Sequence, residues 1–138
     1  ADITRTVVKG QASDKVKRMF NAVKDGQEIA FRMIKDGVDG STVHKAITDS
    51  FNALGFKTGE QGGRMQGFFH GTGHGVGLEI HEPPRVSAKS DTLKAGMVVT
   101  VEPGLYYLDA GGMRLEDMVV VTKEGYQVLT EAPKVLEV

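Results

Sequence analysis

The sequence contains no cysteine. Disulfides, a thiol nucleophile and cysteine-ligated zinc or iron–sulfur sites are therefore excluded. It also lacks a surplus of either charge: 17 Lys and Arg stand against 18 Asp and Glu, interspersed along the chain, for a formal charge of −1. A nucleic-acid binder more often shows a basic surplus or stripe, so no polyelectrolyte partner is expected. Long hydrophobic runs are missing as well, and the longest fall far short of a bilayer span. The opening Ala1–Thr6 has neither an initiator methionine nor a signal-peptide pattern, which points to a chain processed or cut from something longer. What remains, 40% hydrophobic and 25% charged residues over 138 positions, is a globular composition of single-domain size. Glycine departs from the average: 18 residues are present where usual frequencies would give roughly ten.

The glycines are concentrated, with seven of them between Gly62 and Gly77. Before that stretch the pattern is helical. Val16, Met19, Phe20, Val23, Ala30, Met33 and Ile34 fall at three- and four-residue spacings and predict a helix over Ser13–Lys35, with Ser13 as N-cap and Gly37 as stop. Gly26 interrupts that pattern. A shorter helix opens at Ser41, buries Val43, Ile47, Phe51 and Leu54, and closes at Gly55. After the glycines the period changes to two. Met97–Glu102 and Arg114–Thr122 are rich in Val and Thr and predict strands, as does the shorter Tyr126–Leu129. Turn residues Asp109–Gly112 predict a hairpin between the first two. Two helices followed by an antiparallel sheet make an α+β fold.

Three of the four histidines, His70, His74 and His81, fall among the clustered glycines. The His70–His74 spacing suits a zinc-binding helix, but Gly71, Gly73, Gly75 and Gly77 would each cost such a helix about 1 kcal/mol. An extended or looped segment is expected instead, with glycines where a backbone or ligand comes close. Pro83 and Pro84 rule out a metalloprotease helix starting at His81, and neither a dinucleotide fingerprint nor a phosphate loop is present. Alternation places Val98, Thr100 and Glu102 on one strand face, and Arg114, Glu116, Met118 and Val120 on another. If those strands pair, Glu102 and Glu116 come within a few positions of each other. Two such carboxylates repel unless a proton or cation lies between them, and with a histidine nearby a divalent metal is the natural occupant. Plainer readings stand beside this one. Glu102 alone would be a solvated strand end, Glu116–Asp117 a charged surface patch, Arg114 a surface ion-pair partner, Asp2 a terminal acid and His44 a structural group.

Phe69–Pro83, containing His-Gly-Thr-Gly-His-Gly-Val-Gly-Leu-Glu-Ile-His-Glu-Pro, resembles the signature of the pita-bread metallopeptidases. Thr100–Tyr106 is similar to their first Glu motif, Gly112–Asp117 to their second, and Asp2–Thr6 to the segment carrying their second metal-binding Asp. The matches keep the family's order from Asp2 to Thr122. The Asp-Ile-Thr-Arg-Thr opening and the His-Glu-Pro ending favour the Xaa-Pro aminopeptidase and prolidase branch over methionine aminopeptidase. The resemblance implies a dinuclear site for two divalent ions (Mn, Co or Zn). In it Asp2 and Glu116 would bridge both metals, and His74 and Glu102 would complete the shell of the second. It further implies Glu102 as proton shuttle, His70 and His81 as substrate-positioning groups that stabilise the tetrahedral intermediate, and Arg114 holding Glu116 or a substrate group. The family's first Asp would precede Asp2, so residues 1–138 are expected to be the C-terminal portion of the catalytic domain, with the N-terminal half lying elsewhere. The implied activity is cleavage before proline in a cytoplasmic enzyme, with a homodimer left open, a proline-containing peptide as substrate, and no nucleic-acid or membrane partner. Two alternatives within the same fold are a metal-independent hydrolase of guanidino compounds and a catalytically silent binding module.

Overall fold

A computed structural model describes all of residues 1–138. Two helices come first, α1 (Asp14–Met33) and α2 (Gly40–Ala53). The Ser13 side chain caps α1 as expected, accepting from the Val16 N–H; α2 is capped by Asp39, which accepts from the Ser41 N–H, one turn residue earlier than the predicted start. The interruption at Gly26 has a packing reason. A Cβ there would lie 2.9 Å from the Phe51 ring of α2, so the glycine lets the two helices approach closely.

Nine short strands follow: β1 (Gly59–Gln61), β2 (Arg64–Gln66), β3 (Gly73–Gly75), β4 (Glu82–Val86), β5 (Val98–Val101), β6 (Gly104–Tyr107), β7 (Gly111–Arg114), β8 (Asp117–Val121) and β9 (Tyr126–Val128). Five of them form one antiparallel sheet in the order β4-β3-β5-β8-β9, while β1-β2 and β6-β7 are separate ribbons. Val99 and Val101 of β5 and Val119 and Val121 of β8 are buried, in one core with Met19, Val23, Ala30 and Phe31 of α1 and Ile47 and Phe51 of α2. The opposite face of β5 therefore carries Thr100 and, just past the strand, Glu102. No helix is long and apolar enough to cross a membrane.

One expectation about topology is corrected. The strands around Val98 and Val119 do pair, with Val98 opposite Val120 and Val101 opposite Asp117, but the Asp109–Gly112 turn does not join them. It closes the extra ribbon β6-β7, in which Gly104 pairs with Arg114 and Tyr107 with Gly111. The predicted continuous strand Arg114–Thr122 is thus broken at Leu115–Glu116, where the chain leaves one sheet and enters another. The break leaves Glu116 free to form a β-bridge with Thr4 instead.

The glycine-rich stretch is extended, not helical. Its glycines are there for space rather than for unusual torsions, since Gly71, Gly73, Gly75 and Gly77 all have ordinary φ. A Cβ on Gly73 would collide with the Thr100 carbonyl oxygen, and one on Gly75 with the Pro83 carbonyl oxygen. β3 lies squeezed between β4 and β5. Gly73→Ala should therefore push β3 off β5 and destabilise the fold by about 1–3 kcal/mol or more. Urea unfolding measures it, and a midpoint equal to that of the unsubstituted protein would show that the two strands can part at no cost.

Candidate metal centre

The site forms where four segments meet. The first is the N-terminal stretch, held by paired backbone hydrogen bonds between Thr4 and Glu116 (Glu116 N to Thr4 O, 3.0 Å). Along it Asp2, Thr4 and Thr6 alternate onto one side: Asp2 reaches the site, the Thr4 hydroxyl donates to Glu116 Oε2, and the Thr6 hydroxyl bonds the Arg114 backbone at 3.0 Å. β3 supplies His74. The ends of β5 and β8 supply Glu102 and Glu116, which stand opposite each other one step beyond the last ladder pair, Val101–Asp117.

Side-chain donor atoms of Asp2, His74 and Glu116 all lie within 4.8 Å of one another. His74 Nε2 is 3.7 Å from Asp2 Oδ2 and 3.3 Å from Glu102 Oε1. Its other nitrogen, Nδ1, lies 3.1 Å from the Gly75 carbonyl oxygen and donates to it, which aims Nε2 toward the three carboxylates. Once Glu102 gives up its proton, every carboxylate aimed at this point is an acceptor. Burial together with the charge of Glu116 pushes the Glu102 carboxyl up to about 7, and burial together with Asp2 raises that of Glu116. Three carboxylates and one imidazole lone pair are a donor set for a divalent cation of the oxygen-preferring or borderline kind.

A cleft of about 450 Å³ opens beside this point, lined among others by His70, His74, His81, Arg85, Glu102 and Arg114. The His81 ring packs edge-on against His74 with centroids 4.3 Å apart. His70 is fully engaged. Its Nδ1 donates to the Gly71 carbonyl at 2.7 Å, and its Nε2 accepts from the Tyr106 hydroxyl at 3.0 Å; burial holds it below the usual histidine range, in the neutral form this arrangement requires. Tyr106 in turn accepts from Arg114 Nε at 2.8 Å. The Arg114 guanidinium lies 3.5 Å from Glu102 Oε2, so the carboxylate it pairs with is Glu102 rather than Glu116. The Thr100 hydroxyl, 3.3 Å from Glu102 Oε1, also accepts from the His74 backbone N–H at 3.1 Å, tying the two donor segments together.

The plainer readings divide. His44 is structural: on α2, its Nδ1 is 3.1 Å from the hydroxyl of fully buried Thr72, whose carbonyl receives the Glu102 N–H at 2.7 Å. The surface-patch reading of Glu116–Asp117 fails, because each is only 2% exposed and they point to opposite sides of the backbone. Sequence reasoning missed Thr4, Thr100, Tyr106 and Arg85. Thr4 and Thr100 stood two positions from Asp2 and Glu102, the period that places strand neighbours on one face. Arg85 needed the register that sets it opposite His74.

Residues 1–123 match the metallopeptidase family M24. The chain belongs to that family. It is 42% identical over 137 residues to the uncharacterized peptidase YqhT of Bacillus subtilis, covering 99% of this chain and 36% of that protein. It is 39% identical to the Xaa-Pro dipeptidase of Pyrococcus horikoshii, covering 99% and 37%. The crystal structure of the X-Pro aminopeptidase from Thermotoga maritima superposes with a TM-score of 0.87 at 36% identity, over all of this chain and 38% of that one, so the pita-bread fold is established. The M24 chain spans little more than a third of the length of these relatives.

A cation held at this point with Glu102 as a donor would displace the proton that Glu102 otherwise holds. The cation-free folded chain keeps that proton up to about pH 7, whereas an unfolded glutamate releases it near pH 4.3. Glu102 therefore makes the cation-free fold lose stability as pH rises across this interval. Saturating Mn²⁺ should remove that loss, and its binding at pH 6 should release protons and tighten toward pH 8. Calorimetry in buffers of different ionisation enthalpy checks this; proton-neutral binding at pH 6 would contradict the assignment of Glu102 as a donor.

Proposed function

We propose that the complete protein is a metal-dependent peptidase that cleaves the bond preceding proline, using two divalent ions of the Mn, Co or Zn class. The observation that carries this is the convergence of Asp2, His74 and Glu116 on one point beside an open cleft, with Glu102 against His74 at 3.3 Å. Preference for proline rests on the likeness to the Pyrococcus horikoshii Xaa-Pro dipeptidase and the Thermotoga maritima X-Pro aminopeptidase.

Bound divalent ions supply activation of water and polarisation of the scissile carbonyl. The remaining work falls to side chains of this chain. Glu102 takes the proton of the attacking water at its carboxylate and returns it to the departing nitrogen. Arg114, at 3.5 Å, keeps that carboxylate oriented. Among the histidines of the cleft, His81 is the one whose ring nitrogens make no hydrogen bond within the protein, so it donates to the oxygen on which negative charge develops. His70, with both nitrogens occupied, orients Tyr106 and through it Arg114. Arg85 and Arg114 supply cationic donors beside Glu82 and Glu102 in the cleft, suited to a peptide carbonyl or carboxylate.

Glu116→Gln in the complete protein should lower hydrolysis of an Xaa-Pro dipeptide by more than about 10²-fold, since even residues that only orient a metal ligand cost 10–100-fold. Turnover equal to that of the unsubstituted enzyme would overturn the proposal. Chelation separates the alternatives. A guanidino-compound hydrolase would ignore it, and a binding module would show no turnover before or after.

A further inference from the structure

Behind the metal centre, across the Glu116–Asp117 backbone, lies a second cluster of charge with no part in the chemistry above. Asp117 Oδ1 accepts from Arg5 Nη2 at 2.6 Å and from the Thr130 hydroxyl at 3.0 Å, and its Oδ2 lies 3.0 Å from Lys134 Nζ. Oδ2 also accepts, at 3.1 Å, from Nε2 of Gln27, a fully buried residue in α1. The same Nε2 donates to the Val101 carbonyl oxygen at 3.0 Å. Gln27 Oε1 has no hydrogen-bond partner. A buried amide oxygen left unpaired is unfavourable, and a methionine would fill the space without one. The only useful chemistry Gln27 performs here is thus its Nε2–H₂ group, which spans Val101 and Asp117.

Those two residues are the last pair of the β5-β8 ladder. Beyond them the strands part. The Glu102 N–H goes to the Thr72 carbonyl and the Glu116 N–H to the Thr4 carbonyl, on different segments. No backbone hydrogen bond therefore fixes the distance between the two metal-binding glutamates. It is held one residue back, where the Val101–Asp117 ladder pair is clamped from the side by Gln27. Arg5 extends the clamp to the third carboxylate: three residues after Asp2, it donates to the Glu116 carbonyl at 2.7 Å as well as to Asp117.

We propose that Gln27 and Asp117 are positioning residues of the metal centre, setting the spacing at which Glu102 and Glu116 meet a cation. The inference rests on the metallopeptidase reading above. The test uses the complete protein, freed of cations, with Gln27→Met titrated with Mn²⁺ by calorimetry beside its thermal unfolding. Mn²⁺ affinity should weaken roughly tenfold or more, while the melting temperature of the cation-free protein moves by no more than about 3 °C, below one typical core defect. At saturating Mn²⁺, kcat for an Xaa-Pro dipeptide should fall with KM unchanged. Mn²⁺ affinity within twofold of the unsubstituted protein would overturn the proposal, whatever the melting temperature does. Should Gln27→Met fail to fold, Asp117→Asn carries the same test, with the same loss expected and the same unchanged affinity overturning it. An unsubstituted protein that takes up no Mn²⁺ would instead overturn the metallopeptidase reading itself, and this inference with it.

Discussion

Like charges held together away from water are the constraint around which this chain is built. Asp2, Glu102 and Glu116 and the lone pair of His74 face one another at distances where, without a positive charge, at least one carboxyl must keep its proton. A fold tolerates that only if the groups cannot swing away. Each carboxylate is accordingly tied from behind: Glu116 by the Thr4 hydroxyl, Glu102 by Thr100 and Arg114, and the Asp2 segment by its pairing with Glu116. The cost of crowding is met by the surrounding framework, and the same crowding gives a cation its binding free energy.

The framework has two layers with different chemistry. Toward the helices the sheet presents valines that pack in the ordinary way. Toward the cleft it presents threonines and ligands. The buried ion cluster around Asp117 sits at the seam. Such clusters are weak evidence for stability, because desolvation offsets most of their attraction; geometry is what this one supplies.

Much of the fold was legible because helix and strand periods survive in the sequence where one face is apolar. Both helices, the strands around Val98 and Val119, and the facing of Thr100 and Glu102 all follow from such spacing, whereas the pairing of those strands was inferred from a turn that closes another ribbon. The extended conformation of residues 73–75 follows from glycines that no helix would accept. The ribbon β6-β7 was not legible. It is two four-residue strands, too short to show a period, and its turn could equally have closed the neighbouring pair. Of the site, Glu102 and Glu116 were legible as a facing carboxylate pair from strand alternation, whereas Asp2 and the choice of His74 came through the family resemblance, since Asp2 and Glu116 stand 114 residues apart with no local signature. The division of labour between Glu116 and Asp117 was invisible for a related reason. Adjacent acids read as one patch until the strand shows that they face opposite ways.

The bridge between Thr4 and Glu116 has a kinetic meaning. It joins residues 112 apart, and closing a loop of that length is costly in entropy and slow in folding. The metal centre can have no complete form until the opening segment has returned to the end of the polypeptide's sheet. A divalent ion therefore meets its full donor set only after that closure. Its strongest hold is on the closed molecule, where it acts as a latch that stabilises walls already standing.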